Sequence, residues 1–171
     1  MTNPKNEIKF KKTGRLLIFK YLGITVLILI ILITLFNSLS TELNEFVNRS
    51  LIHPFLSETK YFTAQIIFNL TIMFFISGNI GKSVIEKDKA PFWTTFFGYL
   101  KMSIGFFFIA MLSEMTLRTF EYGFDFKLFG LGILIWVFTG GPIFLIIGGV
   151  YGGIISSFIG KEIVNKKNVL Q

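Results

Sequence analysis

Lys101 is the residue whose type and position most invite a chemical reading. It interrupts an otherwise uncharged stretch from Phe92 to Leu112. A lysine at membrane depth costs on the order of 3 kcal/mol, so such residues face protein or water and often mark ion or proton pathways. On a helical wheel Thr94, Gly98, Lys101, Gly105 and Leu112 share one face, and a face of small residues usually marks a helix contact. Lys101 is therefore expected to point into a bundle. Gln65 and Asn69, four apart in the preceding apolar segment, share a face and are expected near it, Asn69 about one turn away in depth. Together Lys101, Asn69 and Gln65 would form an intramembrane polar site, sensing a proton or an anion. The competing and favoured reading is a snorkelling lysine whose ammonium reaches the headgroups along its apolar stem.

A second pattern is made of small residues near the C-terminus. Gly148, Gly149, Gly152, Gly153, Ser156, Ser157 and Gly160 form overlapping small-xxx-small repeats. In lipid such faces let two backbones approach closely and gain dispersion contacts. Packing within the chain is the first expectation, and the face is wide enough to serve a second neighbour as well.

Other chemistry is limited by composition. The chain has no cysteine and one histidine, His53, so thiolate zinc sites, iron–sulfur clusters, cysteine nucleophiles and multi-histidine metal sites in one chain are excluded. His53 precedes Pro54 in a polar loop and reads as chemically idle. No converging carboxylates, serine–base pair or phosphate-cradling glycine loop lies within the apolar stretches, so an enzyme is not expected. No cofactor or metal is expected either. The net charge of +7 could suggest nucleic acid, but the lysines flank apolar segments rather than line one face.

The elements that position these residues follow from hydropathy. Hydrophobic residues make up 52% of the 171 and charged residues only 16%, where a soluble domain carries about 25% charged; the mean hydropathy is +0.65. About 20 apolar residues in a helix cross a hydrocarbon core of about 30 Å. Segments at 16–36, 61–80, 92–112 and 131–159 qualify. The expected fold is all-α: a single transmembrane domain over 1–171, an integral membrane bundle of about four helices. Ser57 and Glu58 suit the start of the second helix, and Pro91 the first turn of the third. The uncharged stretch from Leu128 to Gly160 is too long for one straight span. Either its start lies flat in the interface or it is interrupted at Gly140, Gly141 and Pro142, where a kink is expected, since proline removes a backbone hydrogen bond and glycine weakens a helix.

Orientation follows from the basic residues beside the spans. Lys5, Lys9, Lys11, Lys12, Arg15 and Lys20 precede or enter the first, Lys82, Lys87 and Lys89 separate the second and third, and Lys161, Lys166 and Lys167 follow the fourth. The opposite side has Arg49, Lys60, Arg118 and Lys127. Both termini are therefore expected in the cytoplasm. The first span resembles a signal peptide, with Ser38 and Ser40 at a possible cleavage site, but its core is long, and an uncleaved anchor is expected. In the outer loop 37–60, Leu43, Phe46, Val47 and Leu51 recur at helical spacing and suggest a short amphipathic helix. Abundant Ile, Phe, Lys and Asn with only three alanines suit an A/T-rich bacterial genome.

These features lead to two functional expectations. The first is a multi-pass, non-enzymatic component of the bacterial cell membrane, an accessory, assembly or immunity protein whose partners are the lipid bilayer and another membrane protein or a second copy of itself. The alternative is a small homo-oligomeric transporter or channel using a polar site near Lys101. The orientation is directly testable. A fluorescent reporter that folds only in the cytoplasm should be bright when fused after Gln171, and a periplasm-dependent phosphatase should be active only when inserted in loop 37–60. The reverse pattern would overturn the charge argument.

Overall fold

The structure, a computed structural model, describes residues 4–39, 45, 59–86 and 89–170. The expected amphipathic helix in loop 37–60, with His53 and Pro54, lies outside the described residues apart from Glu45. Among the described residues, four helical stretches are long and apolar enough to cross a bilayer. Helix α1 runs over Pro4–Leu39, α2 over Thr59–Ile85 and α3 over Pro91–Tyr122. The fourth stretch comprises α4 (Phe126–Ile135), a π-helical turn (Trp136–Gly140) and α5 (Gly141–Leu170). The chain is an all-α bundle, as hydropathy requires, because a backbone in hydrocarbon must satisfy its own hydrogen bonds. Each helix runs past its expected span; α1, for instance, begins twelve residues before position 16.

The turns have local causes. Gly123 ends α3 at a φ of 80°, a left-handed conformation that suits a residue without Cβ. Asp125 then caps α4, its carboxylate accepting from the backbone N–H of Lys127 at 2.8 Å and of Leu128 at 3.3 Å. The interruption expected at Gly140–Pro142 takes the form of a π turn immediately before the proline. The Gly141 N–H donates to the Trp136 carbonyl, five residues back. This widened register absorbs the missing proline donor, so the helix continues without a break. At Gly140 a Cβ would lie 2.8 Å from the Trp136 ring, so glycine lets that indole lie flat against its own helix.

Packing is uneven along the bundle. At the end carrying the α1 and α3 N-termini and the α2 and α5 C-termini, hereafter the basic end, Leu17, Ile18, Ile80, Val84, Ile159 and Ile163 are buried in one core. A smaller core seats Phe107, Met111 and Met115 of α3 against Phe129, Ile133, Trp136 and Phe144. Between them α1 leaves the bundle. From Val26 to Leu32 its large side chains are all exposed, and α4 has no buried residue.

Helices approach most closely at glycines. A Cβ on Gly14 would lie 2.7 Å from the Gly81 Cα and closer still to the Ser77 carbonyl, and a Cβ on Gly81 would press on Gly14 and the Phe10 carbonyl. Helices α1 and α2 therefore cross backbone to backbone. Gly98 of α3 receives Ile80, and Gly105 receives Ile72. Gly81→Leu should destabilise the chain by about 2 kcal/mol or more, the cost of overpacking, measured by denaturant titration in detergent. Gly23→Ala, with nothing within 4 Å of its Cβ, should be neutral or stabilising by up to about 1 kcal/mol.

Candidate functional site

Lys101 does not point into the bundle. It is exposed and lines a groove of about 350 Å³ between α2 and α3, with Asn79 and Ser83 of α2 and Lys89, Trp93 and Thr94 at the start of α3. Gly98 and Gly105 of the shared wheel face lie against α2, but Lys101 occupies the margin of that contact rather than its centre. Among the described residues, no carboxylate forms an ion pair with Lys101 or Lys89.

Gln65 and Asn69 are half-buried on the face of α2 that continues to Ile72 and Ile76, yet they are too deep to meet Lys101. Since Gly98 lies opposite Ile76 and Ile80, and Gly105 opposite Ile72, Lys101 sits near the level of Ile76. Asn69 is then about 10 Å further along the axis, nearly two turns instead of one. The Asn69 Oδ1 is buried without a hydrogen-bond partner. The polar site expected from Lys101, Asn69 and Gln65 is thus not assembled: the lysine belongs to the basic end and the amides to the middle of the bundle.

The small-residue face divides in two. Gly148 lies on Ser103, whose hydroxyl donates to the Phe144 carbonyl. A Cβ on Gly152 would lie 2.9 Å from the Tyr99 Cβ, and one on Gly160 would lie 3.3 Å from Pro91. Ser156, fully buried, completes this edge. Gly148, Gly152, Ser156 and Gly160 therefore form the seam between α5 and α3. Gly149 has nothing within 4 Å of a Cβ, and Gly153 has only the rim of the Phe96 ring at 4.0 Å. That second edge is uncovered.

Polar contacts absent from the sequence reading tie the helices together. Glu7 of α1 lies between Lys11 at 2.7 Å and Lys82 of α2 at 2.9 Å. Lys20 of α1 meets Glu162 of α5 at 2.6 Å. The Arg15 guanidinium sits 3.6 Å above the Phe74 ring and donates to the Phe74 carbonyl at 3.2 Å. The Thr25 and Tyr151 hydroxyls share a hydrogen bond of 2.7 Å, and Tyr151 stands edge-on to the buried Tyr99. The signal for the first crossing was present in Ser77-x-x-x-Gly81, a small-xxx-small pair. The Glu7–Lys82 and Lys20–Glu162 pairs left no sequence signal, because their partners come from different helices.

A cavity of about 180 Å³ lies where α1, α2, α3 and α5 meet, lined by apolar groups such as Leu22, Met73, Met102 and Phe106 and by the rings of Tyr99 and Tyr151. Its lining offers shape but no charged group. Among the described residues there is no group of three or more His, Asp or Glu side chains able to hold a metal ion.

No family model matches the chain, and no curated protein or solved structure is significantly similar to it. The site must be read from its own geometry. Lys101 contributes no ion pair to the bundle among the described residues, so Lys101→Met should leave the denaturation midpoint within about 0.5 kcal/mol of the unaltered chain, as exposed substitutions do. A larger loss would show that the ammonium has a structural partner.

Proposed function

We propose that this chain is a non-enzymatic component of a bacterial cell-membrane complex, oriented with both termini in the cytoplasm, that binds another membrane protein through helix contact. One observation carries this reading: among the described residues, the bundle is closed at its basic end and open beyond it. The exposed run of α1 from Val26 to Leu32 and the Gly149–Gly153 edge of α5 present apolar and small-residue surface that the other described helices do not cover. Lipid can cover exposed leucines, but a glycine edge gains most from a second helix backbone, because only a close approach yields new dispersion contacts. An accessory, assembly or immunity role fits a surface of this kind, with binding rather than turnover as its output.

The rival reading, a homo-oligomeric transporter or channel built around Lys101, draws less support. Its polar residues stand at different depths, and the apolar lining of the central cavity offers an ion no counter-charge. Broken helices can build transport sites when unwound carbonyls and half-helix ends face a ligand; here the π turn keeps the fourth helix continuous.

The two edges of α5 supply the test. Gly153→Leu should abolish co-purification of the partner in mild detergent while leaving the denaturation midpoint within about 1 kcal/mol of the unaltered chain. Gly152→Leu should instead destabilise the fold itself, by about 2 kcal/mol or more. Because the chain has no cysteine, a single cysteine at Gly153 can be cross-linked in native membranes, and an adduct with a second protein is expected. Unchanged co-purification by the Gly153→Leu chain, or a Gly153→Cys chain that cross-links to nothing, would refute the reading.

A further inference from the structure

We propose that the groove between α2 and α3 at the basic end binds the headgroup of an anionic phospholipid, with the Lys101 and Lys89 ammoniums on its phosphate. This inference is independent of the partner-binding reading, since the groove and the Gly149–Gly153 edge involve different residues.

Two exposed lysines line one groove, and among the described residues neither has an ion-pair partner, whereas Lys11, Lys20 and Lys82 are all paired with glutamates. Lys101 lies about ten residues into α3, about 15 Å along the axis from Pro91. An ammonium at that depth on a lipid-facing surface is costly unless an anion or headgroup water reaches it. Side chains on a helix lean toward its N-terminus, and the N-terminus of α3 is at the basic end. A Lys101 stem that follows this tilt runs up the groove toward Lys89, which lets a single phosphate reach both charges.

The rest of the groove suits a lipid better than a free ion. The Asn79 amide and the Ser83 hydroxyl line it from α2 and can donate to phosphate oxygens or to a glycerol headgroup. Below them Ile76 and Phe97 offer an apolar wall along which an acyl chain can lie. Trp93 stands at the groove, exposed, where an interfacial indole is favoured. A groove of about 350 Å³ falls within the range of small-molecule sites, and basic pockets between transmembrane helices suit anionic headgroups. An inorganic phosphate would meet the two lysines but would have to leave water to reach the deeper one; a phosphate carried on a diacylglycerol already resides in the interface.

The full chain is purified, reconstituted in phosphatidylcholine nanodiscs, and titrated with spin-labelled phosphatidylglycerol or spin-labelled phosphatidylcholine. Phosphatidylglycerol should bind at least about fivefold more tightly. Lys101→Gln and Lys89→Gln should each weaken its binding by about fivefold, and the double variant by about 25-fold, as expected for the loss of one interfacial lysine contact apiece. Lys101→Arg should retain the preference, and Lys127→Gln, at the opposite end, should leave it unchanged. Millimolar inorganic phosphate should not displace the labelled lipid beyond the effect of an equal ionic strength of chloride. Equal binding of the two lipids to the unaltered chain, or undiminished preference in a folded double variant, would overturn the proposal. So would specific displacement by inorganic phosphate, which would identify a free anion as the ligand.

Discussion

In hydrocarbon, apolar helices gain nothing by hiding from water, so they must hold together by fitting closely. In this chain that constraint is met at glycines. Gly14 and Gly81 bring α1 and α2 into backbone contact, Gly98 and Gly105 admit isoleucines from α2 into α3, and Gly148, Gly152 and Gly160 seat α5 on α3. Each approach multiplies small dispersion contacts that a Cβ would prevent. These contacts set the order of the bundle: α1 on α2, α2 on α3 and α3 on α5, with α1 returning to α5 where Lys20 meets Glu162 and Thr25 meets Tyr151.

Charge supplements packing at the basic end. Glu7 with Lys82 and Lys20 with Glu162 join helices distant in sequence at the basic end. These pairs are partly exposed, and such contacts contribute modestly, up to about 1 kcal/mol each. Their value is positional: they fix which helix ends meet. The opposite half of the bundle has no comparable clamp between α1 and its neighbours among the described residues, and α1 stands away from the others there.

The π turn is the other device that shapes this surface. Proline in the interior of a helix removes a hydrogen bond and presses on the carbonyl four residues back. Here the helix adds one residue to the turn at Trp136–Gly140 and continues. The change of register rotates α5 relative to α4, so that Trp136 and Phe144 both pack on Phe107.

Hydropathy alone determined the four membrane-crossing stretches found among the described residues and the all-α class, because a long uncharged segment must satisfy its backbone internally wherever lipid surrounds it. The interruption near Pro142 was equally legible, since it arises from a missing donor that no packing restores. The small-residue face of α5 could be read as an interface, but not how it divides: Gly152 and Gly153 are adjacent in sequence, and only the position of α3 decides that one is covered and the other free. Lys101 shows the same limit more sharply. Its wheel position beside Gly98 and Gly105 implied an inward side chain, yet the margin of a contact and its centre differ by only a small rotation about the helix axis. Its depth relative to Asn69 depended on how far α2 slides along α3, which the isoleucines at Gly98 and Gly105 set. Helix periodicity is a local property of the backbone and is written in the chain. Rotation, sliding and pairing between helices arise from contacts between distant residues, and only the tertiary structure decided them.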